Sequence, residues 1–277
     1  MDRMQVACCQ FDIAWEDKPA NYARVAEMVA AARLEPGTLL LLPEMFATGF
    51  SMNARTIAEP VDGRTAEFLS ELVARHRLFV IGGAVISEPG SAGRARNEAL
   101  AFAPAGDRVA RYAKMHLFSF ATEHDHYAAG TAPASFDWSG CPVVPAVCYD
   151  LRFPELFRHG ARGGAELFAV IANWPAARES HWLALLKARA IENQAYVAAV
   201  NRVGTDGNGH AYSGRSQVID PKGEVIADGG GGETLIRANI DPDALRDYRR
   251  SFPALADVRN DFREGASGGR QVAPVQL

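Results

Sequence analysis

Short runs of uninterrupted apolar residues recur along the chain and alternate with segments of helical spacing. The clearest runs lie within 38–44, 78–86 and 166–174. A strand that is apolar on both sides must be covered on both faces, whereas a strand with one face in water alternates polar and apolar residues. Between the runs, as in 17–33 and 64–77, apolar residues recur at helical spacing, which predicts amphipathic helices. The pattern therefore predicts a layered α/β fold with helices outside and sheets inside.

Turn signals predict two hairpins in the rest of the chain. Turn-forming residues at 104–107 and 220–223 each separate two strand-like runs, which is the pattern of antiparallel strands joined by a tight turn. Other segments favour single elements through their length, apolar spacing and flanking residues. The remaining predicted elements are strands at 4–11, 97–103, 108–113, 195–204, 212–220, 224–230 and 233–241, and helices at 153–162, 180–194 and 242–250.

The composition is that of an ordinary globular protein that can bury a large core. Of the 277 residues, 48% are hydrophobic and 22% are charged, and no repeat or linker divides the chain. We therefore expect residues 1–261 to form a single domain. The Gly- and Pro-containing residues 262–277 are expected to extend from that domain as an arm.

Charge, apolar run length and cysteine spacing limit the classes of partner. The formal net charge of −4 argues against a nucleic-acid partner, which requires a basic face. No apolar run approaches the roughly eighteen residues that a membrane span needs, and the first residues lack the architecture of a signal peptide. The four cysteines have no regular spacing, so they do not suggest a disulfide framework. We expect a cytoplasmic protein with reduced thiols and no membrane partner.

Cys148 lies where a predicted strand gives way to a predicted helix. The apolar run 143–147 leads into it, and Pro154 stands where the first turn of a helix would begin. Free N–H groups at a helix start favour negative charge, so this position favours a thiolate. The alternative is a buried structural cysteine, which is a common use of the residue.

Glu44 and Lys114 also follow predicted strands, so one rim of a sheet structure could bring them to Cys148. A carboxylate shielded from water is a stronger base than one in solution, and it could take the thiol proton. A nearby ammonium would keep carboxylate and thiolate charged and could donate to an oxyanion. On position alone, Glu44 could instead cap a helix or form a loop ion pair, and Lys114 could be a solvated surface residue.

Three histidines that are close in the sequence allow a different reading of the chemistry. Cysteine nucleophiles commonly work with histidine, and His116, His124 and His126 are candidates. A zinc site needs three or four converging ligands, but Asp125 would face away from the flanking histidines in an extended chain. A metal-binding protein built on these histidines is therefore a weaker alternative.

Glu44, Lys114 and Cys148 lie in three sequence blocks, EMFATGF at 44–50, YAKMHLFSF at 112–120 and VCYDLRFPEL at 147–156. These blocks resemble the catalytic blocks of the nitrilase superfamily of carbon–nitrogen hydrolases, within a similarity that spans roughly residues 4–240. Further stretches, WEDKPAN, IANWPAAR and KARAIENQAYVAAVNRVG, are similar to the ω-amidase or Nit-like branch. The resemblance implies a four-layer α-β-β-α sandwich that carries a Glu-Lys-Cys triad.

The resemblance also implies a role for each catalytic residue. Glu44 would be the general base, and Cys148 the nucleophile that forms a thioester and releases ammonia. Lys114, together with the backbone N–H of Tyr149, would stabilise the oxyanion. Glu123 matches a second family glutamate that would orient Lys114 or assist proton transfer, although an exposed surface acid is the alternative. No metal, nucleotide or organic cofactor is implied.

The residues around the cysteine indicate which amide is cleaved. The run that begins Cys148-Tyr149-Asp150 resembles the ω-amidase group, whose substrates are small dicarboxylic acid monoamides such as 2-oxoglutaramate or 2-oxosuccinamate. Such a substrate has a free carboxylate, which Arg152 or Arg178 could bind. Arg152 could equally pair with Glu155 and brace the helix.

Two aromatic residues and the chain's assembly complete the expectations. Phe118 and Trp174 would wall the substrate pocket, although aromatic residues at strand ends are more often part of the core.

The resemblance implies a homodimer in which residues 262–277 cross to the partner. The alternatives are a carbamoyl or nitrile hydrolase of the same superfamily, and a catalytically silent binding protein with the same fold.

Overall fold

The computed structural model describes residues 4–87 and 94–259, and within them strands form two large sheets with helices outside. The strands are β1 Met4–Gln10, β2 Leu39–Leu41, β3 Phe79–Ile86, β4 Arg96–Phe102, β5 Arg108–Ala113, β6 Phe136–Trp138, β7 Cys141–Val147, β8 Leu167–Ile171, β9 Tyr196–Val200, β10 Val203–Thr205, β11 Ala211–Ser213, β12 Gln217–Ile219, β13 Val225–Asp228 and β14 Thr234–Ile240. The helices are α1 Lys18–Ala32, α2 Ala54–Ile57, α3 Arg64–His76, α4 Glu123–His126, α5 Pro154–Arg162, α6 Glu179–Asn193 and α7 Pro242–Ser251.

Each large sheet has six strands in its described part, with a parallel centre and antiparallel edges. The first sheet has the order β14-β1-β2-β3-β4-β5, and the second has the order β13-β12-β9-β8-β7-β6. Strands β1, β2 and β3 are parallel, as are β7, β8 and β9. Parallel neighbours need a crossover, and the helices α1, α3, α5 and α6 lie in those crossovers. No described helix combines the length and the apolar character that a membrane crossing requires.

Two apolar layers explain why the central strands are apolar on both sides. Along β1, Cys8 faces the core between the two sheets, where it joins Leu41 and Ile81. The next residue, Cys9, faces the layer under α1 and α3, where it joins Val25. Successive side chains of a strand point to opposite faces, so both cysteines are buried in different layers. The predicted four-layer α-β-β-α sandwich is confirmed.

Two predicted strands are divided differently in the structure. The segment predicted as one strand at 195–204 breaks at Asn201, and β10 then pairs with β11 rather than continuing the large sheet. Only 217–219 of the predicted strand 212–220 pairs with β13. The break has a local cause, because the Asn201 side chain bonds the backbone of Trp174 and Gly214 instead of leaving a regular ladder. The expected arm at 262–277 lies outside the described residues.

The ends of β2, β5, β7 and β8 bring the candidate residues to one rim of the sandwich. Glu44 follows β2, Lys114 follows β5 and Cys148 follows β7. The chain after β2 passes so close to β3 that a Cβ on Gly83 would lie 2.3 Å from the Met45 nitrogen and 2.6 Å from the Glu44 Cα. Only glycine allows that approach, so Gly83 fixes where the Glu44 backbone lies.

We predict that Gly83→Ala destabilises the fold much more than Gly82→Ala. The added methyl group at Gly83 meets backbone, which cannot move freely, and overpacking of this kind costs about 3 kcal/mol or more. At Gly82 the nearest atoms are side-chain carbons of Leu69 and Phe46 at 3.1–3.2 Å, which can yield for about 1 kcal/mol. Urea unfolding of the two variants checks this, and equal midpoints would contradict the constraint on Glu44.

Candidate active site

Lys114 is buried between two glutamates. Its Nζ donates to Glu44 Oε1 at 2.9 Å and to Glu123 Oε2 at 2.9 Å, and all three side chains are fully buried. Burial alone would disfavour the ammonium, but the charges of Glu123 and Glu44 outweigh it and raise the pKa of Lys114 well above its ordinary value. Lys114 is therefore a permanent cation. Glu123 lies in the site, so the surface-acid alternative is wrong.

Two asparagines that the sequence analysis did not single out hold Glu44 in place. The Asn97 amide donates to Glu44 Oε1 at 2.7 Å and to Glu123 Oε1 at 3.0 Å. The backbone N–H of Asn173 donates to Glu44 Oε2 at 2.8 Å, and its side-chain amide donates to the Glu44 carbonyl at 2.6 Å. Asn173 also contacts the nucleophile candidate, because its carbonyl lies 3.7 Å from Cys148 Sγ and accepts from it.

Cys148 begins a tight turn with an unusual backbone conformation. Its φ of 47° lies in the left-handed region, which costs a residue with a Cβ about 1–2 kcal/mol. The Asp150 carboxylate holds the turn, since it accepts from the backbone N–H of Val147 at 3.0 Å and from the Tyr112 hydroxyl at 2.8 Å. It also accepts from the His116 backbone N–H at 3.0 Å. Asp150 thus ties the turn of the cysteine to the segment that carries Lys114.

The electrostatics of the site favour a neutral thiol at rest. Burial raises the pKa of Cys148 well above its ordinary value, Glu44 and Glu123 raise it further, and Lys114 acts in the opposite direction. Two carboxylates and one ammonium already leave a net negative charge, so a thiolate would add a second one. The thiolate expected from the helix start is therefore wrong for the resting site. The Glu44 carboxylate acts on the thiol through its charge and through a side-chain hydrogen bond.

A cavity of about 320 Å³ opens beside Cys148. The five residues predicted to bind substrate, Phe118, Tyr149, Arg152, Trp174 and Arg178, all line it. Its complete lining is Phe50, Met52, Phe118, Phe120, Ala121, Cys148, Tyr149, Arg152, Asn173, Trp174, Pro175, Ala177, Arg178, Asp206, Asn208, His210 and Tyr212. The structure therefore gathers the predicted residues around one space with the thiol at its wall.

Two arginines in this cavity lie against aromatic rings. The Arg152 guanidinium is 4.8 Å from the centre of the Trp174 ring, and the Arg178 guanidinium is 4.9 Å from that of Phe120. Within the described part of the chain, neither arginine forms an ion pair with a carboxylate, and the alternative pairing of Arg152 with Glu155 is not formed. Two cations that line a cavity without anionic partners make it suited to an anionic ligand.

The turn between β10 and β11 forms one wall of the cavity, and the sequence analysis did not identify it. The turn between β10 and β11 is held by Asp206, which accepts from the backbone N–H groups of Asn208 and His210 at 2.9 Å and from the Tyr212 hydroxyl at 2.9 Å. The turn signal Asp206-Gly-Asn-Gly could have identified this hairpin. Because its carboxylate is satisfied by three donors, Asp206 is a structural acid of the wall.

The histidine cluster does not form a site around the cysteine. His116 Nδ1 bonds Asp150 Oδ1 at 2.8 Å, and its ring stacks on Phe153 with centroids 3.9 Å apart. His124 and His126 are exposed on α4. Across residues 4–87 and 94–259, no group of three or more His, Cys, Asp or Glu side chains is placed to hold a metal ion.

Comparison with known proteins places these features in one family. A model of the carbon-nitrogen hydrolase family matches residues 5–250. The chain is 40% identical over 264 residues to omega-amidase YafV of Escherichia coli K12, covering 95% of this chain and 99% of that protein. It is 35% identical over 259 residues to the 2-oxoglutaramate amidase of Bacillus subtilis 168, covering 93% of this chain and 98% of that protein.

A solved structure agrees with the sequence relatives. The crystal structure of XC1258 from Xanthomonas campestris, a CN-hydrolase superfamily protein with an arsenic adduct in the active site, is similar with a TM-score of 0.87 and 36% identity. The match covers 94% of this chain and 98% of that one. The chain therefore belongs to the carbon–nitrogen hydrolase family, within the nitrilase superfamily and its omega-amidase branch, and is a hydrolase of carbon–nitrogen bonds.

Proposed function

We propose that this protein is a cysteine-dependent omega-amidase. It hydrolyses the terminal amide of a small dicarboxylic acid monoamide, such as 2-oxoglutaramate or 2-oxosuccinamate, to the acid and ammonia. The observation that carries the proposal is the meeting of Cys148, Glu44 and Lys114, with Cys148 in the wall of a cavity. The same cavity presents two arginines that have no carboxylate partner among the described residues. The relatives named omega-amidase and 2-oxoglutaramate amidase support the choice of substrate.

The first half of the reaction forms a thioester and releases ammonia. Glu44 takes the Sγ proton of Cys148 as the sulfur attacks the amide carbonyl carbon. The carbonyl oxygen becomes an oxyanion that accepts from the Lys114 ammonium and from the backbone N–H of Tyr149. The oxyanion then reforms its carbonyl and the C–N bond breaks. Glu44 returns its proton to the leaving nitrogen, so ammonia departs and an acyl-Cys148 thioester remains.

The second half regenerates the enzyme with water. Glu44, again a carboxylate, takes a proton from water as the water oxygen attacks the thioester carbonyl. Collapse of this intermediate breaks the C–S bond, and the proton held by Glu44 returns to the sulfur. The acid product leaves and the thiol is restored. The same carboxylate therefore serves as base and acid in both halves.

Lys114 and Glu123 have supporting roles that follow from their charges. Because two buried glutamates raise the pKa of Lys114, this residue stays protonated and donates hydrogen bonds rather than accepting a proton. Glu123 binds the ammonium and accepts from the Phe118 backbone N–H at 2.6 Å. It thereby fixes the direction in which the Lys114 ammonium points.

The cavity supports a substrate with one amide end and one carboxylate end. Cys148 defines the amide end, while Arg152 and Arg178 offer guanidinium groups to the carboxylate. Arg152 lies on the same turn as Cys148, residues Cys148–Arg152, and is the better placed of the two. Trp174 and Phe118 supply apolar walls that exclude water from the reacting carbonyl.

Ammonia release from a panel of substrates tests the proposal. The panel contains 2-oxoglutaramate, glutamine, a simple nitrile and a carbamoyl amino acid, each with wild type and Cys148→Ala. We expect wild type to release ammonia from 2-oxoglutaramate and Cys148→Ala to release none. Turnover of only the carbamoyl compound or the nitrile would establish the alternative hydrolase class, and no turnover at all would favour a silent binding protein.

We also propose that the protein is a homodimer that works in the cytoplasm. All four cysteines are free thiols, as expected of a reducing compartment. Exposed apolar side chains on the second sheet and its helices, Ile191, Val225 and Ile226, offer surface for a second copy. Sedimentation equilibrium tests the assembly, and a monomer at micromolar concentration would contradict it.

That residues 1–261 form a single domain stays a prediction.

We predict that iodoacetamide alkylates Cys148 in preference to the other three cysteines. In Glu44→Gln, alkylation of Cys148 should begin at lower pH than in wild type. Cys148 lines the cavity, whereas Cys8, Cys9 and Cys141 are buried in the core. Burial and the charge of Glu44 raise the pKa of the Cys148 thiol, so removal of that charge lets the thiolate form at lower pH. Turnover should nevertheless be lost, because the variant has no base.

Peptide mass mapping after iodoacetamide treatment over a range of pH checks this prediction. Equal labelling of all four cysteines would show that Cys148 is not set apart by the cavity. If the pH at which Cys148 is labelled rises or stays the same in Glu44→Gln, the Glu44 carboxylate does not act on the thiol.

We predict that Arg152→Met raises KM for 2-oxoglutaramate by about 10- to 100-fold, because a charge-assisted hydrogen bond to a carboxylate is lost. Arg178→Met should have a smaller effect in the same direction. For a neutral amide of the same length, which has no carboxylate, both variants should keep KM within about threefold of wild type. Arg64→Met, at an exposed ion pair on α3, is the control. An equal increase in KM for both substrates would exclude recognition of the substrate carboxylate by Arg152 and Arg178.

A further inference from the structure

Asn97 is buried against both catalytic-site glutamates and touches neither the cavity nor the thiol in the described structure. It lies on β4, and the backbone N–H of Lys114 donates to its carbonyl at 2.9 Å. This pairing places the Asn97 amide beside the Lys114 ammonium. The two donors and the two carboxylates form a closed ring, in which Glu44 Oε1 and Glu123 Oε1 each accept from Asn97 and from Lys114.

The orientation of the Asn97 amide leaves its own oxygen without a partner. Both N–H groups point at carboxylates, and the buried Oδ1 has no hydrogen-bond partner. The opposite orientation would turn Oδ1 towards two anions, so the carboxylates dictate the one observed. An unsatisfied buried carbonyl lowers stability. An asparagine that lies beside the candidate active site despite this loss of stability is a candidate for a role in that site.

The hydrogen bonds of this ring occupy one oxygen of the Glu44 carboxylate and leave the other free of them. Among the described residues, Glu44 Oε1 accepts from the Asn97 amide and the Lys114 ammonium, and Oε2 accepts from the Asn173 backbone N–H. The carbonyl of the same residue, Asn173, accepts from Cys148 Sγ, and the Glu44 carboxylate acts on the thiol through its charge and a side-chain hydrogen bond. Oε2, which accepts nothing from the ring, is therefore the oxygen available to the thiol.

We infer that Asn97 is a positioning residue that holds Oε1 of Glu44 in the ring with Lys114 and Glu123, and so leaves Oε2 to the Cys148 thiol. The inference rests on the proposed function, in which Glu44 carries the proton between sulfur, nitrogen and water. Without the two amide donors, two buried carboxylates would share a single ammonium. The Oε1 side of Glu44 would then be held by Lys114 alone, and the carboxylate could turn its wrong oxygen to the sulfur.

Asn97→Leu tests the inference, because leucine has a similar volume and removes both the donors and the unsatisfied oxygen. We expect kcat to fall by about 100-fold, as for loss of a preorganised hydrogen-bond donor at a reacting group, with KM within about twofold of wild type. A matched control is Asn193→Leu on α6, where another buried asparagine has an unpartnered Oδ1 within the described structure and is not among the residues that line the cavity.

A second variant keeps the test valid if the leucine chain does not fold. Asn97→Asp preserves the shape but places a third acid between the glutamates, so its activity should fall further as the pH rises and that acid ionises. A kcat and pH profile for either Asn97 variant equal to that of Asn193→Leu would overturn the inference.

A readout without substrate separates this inference from the proposed function. Glu44 raises the pKa of the Cys148 thiol through its charge and a side-chain hydrogen bond. If its carboxylate is no longer held beside the sulfur in Asn97→Leu, it repels the thiolate less, and alkylation of Cys148 by iodoacetamide should shift to lower pH. If wild type turns over no substrate while this shift occurs, the proposed function fails and the positioning role stands. If wild type is active and neither the shift nor the kcat loss occurs, the positioning role fails alone.

Discussion

Lys114, buried between Glu44 and Glu123, is the interaction on which the rest of the site depends. Neither an ammonium nor a carboxylate can be taken out of water alone, because the loss of hydration costs far more than one hydrogen bond returns. The three groups are tolerated together because each is paired and further donors complete them, from Asn97, Asn173 and the backbone of Phe118. The fold supplies these partners by ending several strands at one rim.

The charge balance of this cluster explains how a buried cysteine can react without being a thiolate at rest. Burial of the sulfur and the charges of Glu44 and Glu123 raise the pKa of the thiol, so the proton stays on sulfur at rest. In the mechanism proposed above, negative charge forms only as the carbonyl is attacked, and it passes to an oxygen that Lys114 and a backbone N–H can stabilise. A neutral thiol is also less open to oxidation or stray alkylation than a thiolate.

The sequence supports much of the fold and the identity of the reacting groups, but not their hydrogen-bond partners. Uninterrupted apolar strands, helical spacing and turn residues predict the layers, and Glu44, Lys114 and Cys148 stand out because each follows a strand. Asn97 could not be singled out, since its role depends on two glutamates that are distant in sequence. The helix start and the Lys114 ammonium both favour a thiolate, but burial of the sulfur, which the sequence does not show, is the largest cause of its raised pKa. The β10–β11 hairpin was missed because its two three-residue strands overlap the ends of the longer predicted strands 195–204 and 212–220.

The charge state of Cys148 in the resting enzyme tests the account most directly. Thiolates absorb in the ultraviolet where thiols do not, so the difference between wild type and Cys148→Ala, followed over pH, reports this sulfur alone. The account predicts no difference at neutral pH and a thiolate signal that appears only well above the value of about 8.5 typical of a free cysteine. A full thiolate signal at neutral pH would contradict it, because the two glutamates would then not control the proton on sulfur.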